Sequence, residues 1–480
     1  MSLLQLAAPA PALNTGNNAW MLASAALVLL MTPGLAFFYG GMVRRKNVLN
    51  MLMMSFSAMG TVGVVYVLWG YSESFSANVA GGLFGNPATS FGMKGLFPEL
   101  GGSTETVSNS LYSGSGVSAL TVVAFQVTFA IITVALISGS IADRMKFSSW
   151  LIFTVVWVTI VYFPLAHMVW GGGLLSGWES GISAHLFGTT DGVANVPPID
   201  FAGGTVVHID AGVAGGVLAF LLGKRRGFRK DPMRPHNVPY VMLGAGLLWF
   251  GWFGFNAGSA GAASGTAGLA WMNTSTATSA AMLGWLAIEQ LRDSKATGVG
   301  AASGAVAGLV AITPAAGALS PVGAIILGLI AGALCSLAVG LKYRLGLDDS
   351  LDVVGVHLVG GVVGTVGIGF LGTSTGLFYG GGGRQLVVQI IIAAAAIIFS
   401  GVLTLLIGLA LKHTIGIRVS EDEEAEGLDT TIHGESAYDD EATRGPSMLG
   451  SSSAAAGTSA SSAPSAASQA SSASKEEVNA

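Results

Sequence analysis

Eleven runs of mainly apolar residues, each about twenty residues long, limit this chain to one class of fold. A bilayer offers the backbone no hydrogen-bonding partners, so segments of this kind cross it as helices. Only 10% of the 480 residues are charged, whereas roughly a quarter are charged in an ordinary soluble domain. The sequence therefore predicts an all-α polytopic membrane protein with eleven transmembrane helices, over residues 19–40, 48–70, 117–140, 149–168, 203–223, 238–257, 266–288, 297–314, 321–341, 353–371 and 386–411.

The basic residues indicate how these helices are oriented. The connections after helices 1, 3, 5, 7 and 9 are basic, whereas those on the opposite side hold only Lys94 and Arg384. Because positive charge collects in cytoplasmic loops, we expect the N-terminus outside and the C-terminus in the cytoplasm, in a multi-pass protein of the cell membrane. Residues 1–420 hold 19 Lys and Arg against 14 Asp and Glu, and this excess is assigned to the loops and not to nucleic-acid binding.

Composition divides the chain into four parts. Residues 1–18 are predicted to form a short extracellular N-terminus and residues 19–411 the transmembrane domain. Residues 412–445 are polar and patterned and are expected to dock at the cytoplasmic face, whereas the Ser/Ala-rich residues 446–480 are expected to be disordered. Glycines four residues apart predict closely packed helices, at Gly212/Gly216, Gly304/Gly308, Gly328/Gly332 and Gly360/Gly364.

Two matching stretches suggest an internal repeat. GGTVVHIDAGVAGG (203–216) and DVVGVHLVGGVVGT (352–365) both contain Val-His and then small residues around Gly-Val. They centre on His208 in the fifth helix and His357 in the tenth, so the two copies cross the membrane in opposite directions. This is typical of an inverted repeat, helices 1–5 against 6–10 with the eleventh left over. The repeat predicts that the two histidines face each other near the midplane.

Carboxylates repeat as well. Asp200 and Asp349 each lie eight residues before a histidine, and an acidic residue suits the positive end of a helix. Capping alone is the favoured interpretation for Asp348 and Asp349. Two histidines at matched places in a repeat instead favour a shared site.

A pair of neutral imidazoles offers one donor and one acceptor without a fixed charge, which suits a small polar solute. The sequence contains one cysteine, Cys335, and no HExxH motif, so no metal or other cofactor is predicted. Nothing supplies a nucleophile together with its base, which argues against an enzyme.

Longer motifs identify a family. The chain contains TPGLAFFYGGMVRRKNVLNM, AHMVWGGG, DFAGGTVVHI, GWFGFNAGSA, DDSLDVVGVHLVGG and GLDTTIHGESAY. Over roughly residues 17–440 it resembles the ammonium transporter, methylammonium permease and Rhesus (Amt/Mep/Rh) family, in its bacterial and archaeal ammonium transporter branch. The resemblance implies a homotrimer in which each subunit has its own conduction path, with ammonium or ammonia, and methylammonium as a further candidate, as substrate.

The resemblance also implies roles for individual residues. An outer recruitment site for NH4+ would use Trp170, Phe129 and Ser259, through cation–π attraction and a hydroxyl acceptor. Asp200 would be the vestibule carboxylate, and Phe129 and Phe255 the stacked rings of the outer gate. The implied mechanism is that NH4+ loses its proton and NH3 passes His208 and His357 through a hydrophobic pore into the cytoplasm, since an ion there is costly to desolvate.

The cytoplasmic segment GIRVSEDEEAEGLDTTIHGESAY (416–438) is similar to the family's regulatory C-terminal region, which receives PII-type signal proteins. Composition alone is equally compatible with a solvated acidic tail. The residues that carry the resemblance are Gly416, Arg418, Gly427, Leu428, Asp429, His433 and Gly434.

Two questions stay open from the sequence. Asp210 places a carboxylate where a small neutral or amide residue is expected from the resemblance. Whether the proton remains outside or crosses separately decides between an electroneutral channel and an electrogenic transporter. An ammonium sensor and a Rhesus-like gas channel that also passes CO₂ are the alternative functions.

Overall fold

The computed structural model describes residues 12–438 apart from 104–105, 109–110, 113 and 232. Within this part the chain is mainly helical, and the residues up to Ala437 belong to one compact unit. Residues 1–11 of the expected N-terminal segment, residues 439–445 of the expected docking segment and the Ser/Ala-rich residues 446–480 lie outside the described residues.

Each of the eleven predicted segments coincides with a long helix, and ten of these helices are long and apolar enough to cross a membrane within the described part of the chain. Numbered in chain order, the helices are α1 (Thr15–Met42), α2 (Arg45–Phe75), α3 (Ala119–Ile141), α4 (Phe147–Trp170), α5 (Gly204–Leu222), α6 (Val238–Gly258), α7 (Gly265–Asp293), α8 (Gly298–Ala315), α9 (Pro321–Leu345), α10 (Val354–Leu371) and α11 (Arg384–Thr414).

The helix not among the ten is α7, because its inner face is polar. The Asn273 amide donates to the backbone carbonyls of Ala316 and Leu319, both at 2.8 Å. The Thr274 hydroxyl accepts from Asn256 at 2.9 Å, and Asn273 and Thr274 are both fully buried. The low hydropathy of α7 therefore reflects in part buried polar side chains that form hydrogen bonds within the protein, which is compatible with an interior position.

Helix ends differ from the predicted ones by a few residues. Helix α1 begins at Thr15 and not near residue 19, because the Asn14 side chain caps it by accepting from the backbone N–H of Asn17 at 3.0 Å. Helix α11 continues to Thr414 and not to 411. Apolarity marks where lipid contact ends, whereas capping and hydrogen bonds decide where the helix ends.

Four of the long helices contain a wider π-helical turn, and the two histidines lie in matched ones. The turns span Tyr66–Gly70, Val158–Tyr162, Gly204–Ile209 and Val354–Leu358. His208 is in the turn that opens α5, and His357 is in the turn that opens α10. Such turns break the regular hydrogen-bond ladder and occur often at functional sites.

Small residues let the helices approach closely, as the glycine pairs predict. A Cβ atom built on Gly328 or Gly332 of α9 would collide with the backbone carbonyl of Ala277 or Ala281 of α7. A Cβ on Gly212 would collide with the backbone of Leu358, so α5 and α10 touch beside the two histidines. This contact fixes the relative position of the helices that carry His208 and His357.

Two long connections lie at the same end of the bundle and touch each other. Each contains a short antiparallel hairpin, with Asn78 opposite Gly85 in one and Thr189 opposite Ala194 in the other. The second connection also holds a short helix, Ile182–Phe187. The backbone N–H of Leu174 donates to the carbonyl of Gly82 at 3.0 Å, which joins the two.

Candidate functional site

His208 and His357 meet at the centre of the helical bundle. Their Nδ1 atoms are 3.4 Å apart and their ring centroids 5.4 Å, with both side chains almost completely buried. One ring nitrogen must carry the proton of this contact and the other accept it, so the rings share one hydrogen bond between neutral imidazoles. Nε2 of His208 has no hydrogen-bond partner among the described residues. A polar ring nitrogen is therefore available to a small solute.

Two carboxylates anchor the turns that carry these histidines. Asp200 accepts hydrogen bonds from the backbone N–H groups of Gly203 and Gly204 at 2.8 and 2.6 Å and of Thr205 at 2.9 Å, and also from the Thr205 hydroxyl. Asp349 accepts from the N–H groups of Val353 and Val354 at 3.1 and 2.8 Å. Both carboxylates thus cap the helix that follows.

The capping interpretation therefore applies to Asp349, and its neighbour has a different partner. Asp348 forms an ion pair with the Arg225 guanidinium at 3.3 Å and accepts from the Arg225 backbone N–H at 2.7 Å. The Ser140 hydroxyl donates to Asp349 at 2.8 Å, which ties the start of α10 to the end of α3. These contacts hold the turn of His357 against the opposite half of the bundle.

A narrow cavity is lined by both imidazoles. Apart from the histidines and one tryptophan its walls are aliphatic or phenyl groups, so a charge inside it would lose its water without replacement. The lining residues are Met31, Leu35, Ile132, Leu136, Val207, His208, Leu248, Trp252, Phe255, Val306 and His357.

Two stacked aromatic rings lie at this cavity, and one of them, Phe255, is part of its lining. The rings of Phe129 and Phe255 are 4.1 Å apart and nearly parallel, with an angle of 15° between them, and both are fully buried. The Trp170 ring stands edge-on to Phe129 at 6.2 Å. The Phe255 ring lies 6.2 Å from His208, so ring contacts run in series from Trp170 through Phe129 and Phe255 to His208.

The residues of the expected recruitment site surround this stack. The Trp170 indole N–H donates to the Asp200 backbone carbonyl at 2.9 Å, which leaves its ring as the partly exposed surface. Ser259 lies one helical turn beyond Phe255, and its hydroxyl donates to the Phe255 carbonyl at 2.8 Å. With its proton used in this way, the Ser259 oxygen can accept a hydrogen bond from a ligand. The role of the three residues stays a prediction.

Sequence reasoning did not identify Trp252 and Tyr112. The Trp252 ring stacks on His208 at 5.4 Å, and its N–H donates to Thr313 at 2.8 Å. Trp252 precedes Phe255 by one helical turn in GWFGFNAGSA, and this spacing was the available signal. The Tyr112 hydroxyl lies within hydrogen-bonding reach of Ser259, and burial raises its pKa. Tyr112 comes from a loop, where periodicity gives no information.

The described part of the C-terminal segment docks against the ends of several of the long helices. Arg418 forms an ion pair with Glu424 at 2.7 Å and donates to the Leu222 carbonyl at the end of α5 at 2.9 Å. The backbone N–H of Val419 donates to the carbonyl of Arg144, whose buried guanidinium has its pKa lowered to about 10 by burial. The segment is therefore packed into the protein and is not a solvated tail.

The family-like residues of this segment make its closest contacts. Leu428 is fully buried and its N–H donates to Asn47 at 2.8 Å. Asp429 accepts from the N–H of Asn50 at 2.8 Å at the start of α2. His433 contacts the Asn50 side chain at 3.1 Å, and burial lowers the pKa of His433 and raises that of Asp429. The glycines Gly416, Gly427 and Gly434 have positive φ angles of 73°, 119° and 67°.

Within the described residues no group of three or more His, Cys, Asp or Glu side chains is arranged to hold a metal ion.

Comparison with known proteins finds a matching family and close relatives in sequence. A sequence model of the Ammonium Transporter Family matches residues 19–438. An ammonium transporter of Mycobacterium tuberculosis is 53% identical over 441 residues, covering 88% of this chain and 90% of that protein. One from Aquifex aeolicus is 47% identical over 433 residues, covering 89% and 94%.

Solved structures show the same fold. A structure described as a sensor Amt protein superimposes with a TM-score of 0.74 at 28% identity, covering 87% of this chain and 98% of the other. Mep2 of Saccharomyces cerevisiae gives 0.73 at 32% identity, covering 85% and 91%. A family match over most of the chain, together with relatives of this identity, establishes that the chain belongs to the Ammonium Transporter Family.

Proposed function

We propose that this protein recruits NH4+ at an outer vestibule, removes its proton, and conducts NH3 past His208 and His357 into the cytoplasm. Membership of the Ammonium Transporter Family supports ammonium transport as such. The finer mechanism rests on the 3.4 Å contact between the two imidazoles in an otherwise apolar cavity. A cavity of this kind accommodates neutral NH3, which hydrogen-bonds with a ring nitrogen, and rejects a bare ion.

Recruitment on the outer side uses the face of Trp170, the ring of Phe129 and the oxygen of Ser259. A cation is attracted to aromatic faces. The hydroxyl oxygen can accept a hydrogen bond from an N–H group of NH4+, whereas Na+ has no hydrogen to donate. Asp200 contributes chiefly by holding the start of α5, because four backbone N–H groups occupy its oxygens. Phe129 and Phe255 form the gate through which ammonia passes after the proton has left.

The proposal includes the arrangement in the membrane. Helix α7 is the eleventh crossing helix, α1–α5 and α6–α10 form the inverted repeat, and the N-terminus is outside. The matched π-helical turns at His208 and His357 support the repeat. The subunits form a homotrimer in the cell membrane, and a PII-type signal protein binds over the docked C-terminal segment. The protein is a transporter and not an enzyme.

The test uses proteoliposomes with an inward ammonium gradient, in which charge movement and luminal pH are recorded together. The parent is compared with His208→Ala and His357→Ala, with Ser336→Ala as a control at a buried site outside the cavity lining, where the hydroxyl has no hydrogen-bond partner among the described residues. We expect ammonium-dependent flux in the parent and in the control. In either histidine variant we expect the flux to be lost or its selectivity against K+ to change.

The two signals distinguish the forms of transport. Luminal alkalinisation without current means net NH3 flux, whereas current means that a charge crosses as well. Ammonium binding without either signal would contradict the transporter proposal and favour a sensor. Parent-like flux and selectivity in both histidine variants would contradict the assigned conduction path.

A further inference from the structure

Tyr112, in the connection between α2 and α3, has no part in the proposed recruitment site. Its ring packs directly on Gly261, because a Cβ atom built on that glycine would lie 2.3 Å from the Tyr112 Cδ1 atom. Gly261 follows Ser259 by two residues, and the Tyr112 hydroxyl lies within hydrogen-bonding reach of Ser259. Two separate contacts therefore place Tyr112 beside the oxygen that is proposed to accept from ammonium.

The Tyr112 ring also belongs to the aromatic series that contains Trp170. Its centroid is 6.4 Å from that of Phe125, the Phe125 ring is 4.8 Å from Phe129, and Phe129 is 6.2 Å from Trp170. Phe125 and Phe129 are fully buried, whereas Tyr112, Trp170 and Ser259 are each partly exposed. Buried rings thus connect three groups that a solute can reach.

The backbone around Tyr112 is fixed by the start of α1. The Asn17 amide donates to the Ser115 carbonyl at 2.7 Å and accepts from the Ala263 N–H at 3.1 Å, so one side chain joins the loop of Tyr112 with the loop of Ser259. Tyr112 has a φ angle of 64°, which is uncommon for a residue with a bulky side chain. Such conformations persist where the surroundings impose them, and they are found at ligand-binding sites.

The positions of the hydroxyl hydrogens determine which oxygens can accept from a cation. The Ser259 hydroxyl donates to the Phe255 carbonyl at 2.8 Å, so in the contact between Tyr112 and Ser259 the tyrosine is the donor. The buried Gln126 side chain also lies within hydrogen-bonding reach of the Tyr112 hydroxyl. Its amide oxygen is a second acceptor for the Tyr112 proton. A rotation of that proton towards Gln126 frees a lone pair of the tyrosine oxygen next to the oxygen of Ser259.

We propose that Tyr112 is a further ammonium-binding residue of the recruitment site, and that its phenolic oxygen accepts a second N–H of the bound ion. In the empty site the Tyr112 hydroxyl donates to Ser259. When NH4+ binds, this proton turns to the Gln126 oxygen, the two hydroxyl oxygens move apart, and each accepts one N–H. One neutral hydrogen bond is replaced by charge-assisted ones, which are roughly twice as strong. The proposal rests on the proposed function.

The experiment measures ammonium flux into proteoliposomes as a function of ammonium concentration. Tyr112→Phe removes the hydroxyl and keeps the ring on Gly261. Because a hydrogen bond to a charged group is lost, the half-saturating ammonium concentration should rise about tenfold. The maximal flux should stay at the parent value, because the pore is unchanged. Tyr379→Phe, in the connection between α10 and α11, removes a hydroxyl that contacts Ser320 at 3.1 Å and is the matched control, with parent-like behaviour expected.

A double variant distinguishes direct binding from positioning of Ser259. If Tyr112 binds the ion itself, Tyr112→Phe should again raise the half-saturating concentration about tenfold when it is added to Ser259→Ala. No further rise in that background would show that Tyr112 acts only through Ser259 and would overturn the proposal. Parent-like half-saturation in Tyr112→Phe, or a lowered maximal flux with unchanged half-saturation, would overturn it as well.

Calorimetric titration of the purified protein in micelles with ammonium chloride measures binding without transport. The dissociation constant should rise by about the same factor in Tyr112→Phe as the half-saturating concentration. Flux in the parent together with equal dissociation constants in parent and variant would overturn the role of Tyr112 alone. A parent that binds ammonium without flux would overturn the proposed function, while weaker binding by Tyr112→Phe would still support Tyr112 as a ligand of the ion.

Discussion

Replacing Asp200 by asparagine tests whether this carboxylate acts mainly as a helix cap. One of its oxygens accepts from the N–H groups of Gly203 and Gly204, and the other from the N–H groups of Thr205 and Val206 and from the Thr205 hydroxyl. Asparagine presents an NH2 group on one side. In either orientation of the amide, at least two donors therefore lose their acceptor.

The expected loss follows from the number of unpaired donors. A buried donor left without a partner costs about 1–3 kcal/mol, so the loss of two acceptors in Asp200→Asn should lower the free energy of unfolding by about 2–6 kcal/mol. Asp349 provides the matched comparison, with Ser140 and Val353 on one oxygen and Val354 on the other. In Asp349→Asn the NH2 group can take the side of Val354, so that only the Val354 N–H loses its acceptor, at a cost of about 1–3 kcal/mol. The loss at Asp200 is thus about twice the loss at Asp349.

The assay is denaturant unfolding of the purified protein in micelles, followed by tryptophan fluorescence, with ammonium flux measured on the same preparations. Glu179→Gln, at an exposed position of the connection between α4 and α5, removes one negative charge without removing a cap. We expect Asp200→Asn to lower the maximal rate, because His208 loses its anchor, with little change in the salt dependence of recruitment. Equal stability losses in the two aspartate variants, or none in either, would refute the capping argument. A loss reproduced by Glu179→Gln would assign the effect to charge.

Three further predictions concern the tail and the packing of the helices. Gly427→Ala would place a Cβ atom 2.7 Å from the Lys46 Cβ, so it should make the C-terminal segment more susceptible to limited proteolysis. Gly434→Ala, where φ is also positive but nothing lies within 4 Å of the added atom, should have a much smaller effect. Gly332→Ala should destabilise the protein to denaturant by about 1–3 kcal/mol through overpacking, whereas Gly340→Ala on the same helix has open space and should be nearly neutral. Burial holds the pKa of docked His433 below its ordinary value, which is about 6.5. The docked state is therefore fully stable above the ordinary pKa and loses stability as pH falls through the lowered pKa of the docked histidine. Acidification should increase proteolysis of the segment in the parent but not in His433→Gln.

The sequence predicted the helices well because apolarity over a bilayer's thickness is a strong local signal. It placed a helix at the position of each of the eleven long helices, including α7, the least apolar of them, but did not place the short helices Ile182–Phe187, Glu421–Glu426 and Leu428–His433. It also predicted that His208 and His357 meet, since an inverted repeat brings matched residues together. It did not find Trp252 against His208, because an apolar motif read along one helix does not show which ring faces another helix.

Contacts made by the C-terminal segment show the same limit. The motif GLDTTIHGESAY suggested that this segment is patterned, but its partners Asn47 and Asn50 lie almost four hundred residues earlier in the chain. A capping aspartate is recognisable by sequence only when it caps the helix that follows it. Asp429 instead supplies its carboxylate to the start of α2, and this pairing depends on the fold alone.

The repeat also explains which features of the site are shared by both halves and which are not. In each half a carboxylate eight residues upstream caps a π-helical turn, and that turn carries the histidine. The capped turns of the two halves are therefore nearly alike and can present a polar pair where they meet. The halves differ two residues beyond each histidine, where Asp210 corresponds to Val359, so the likeness is confined to the caps, the turns and the histidines.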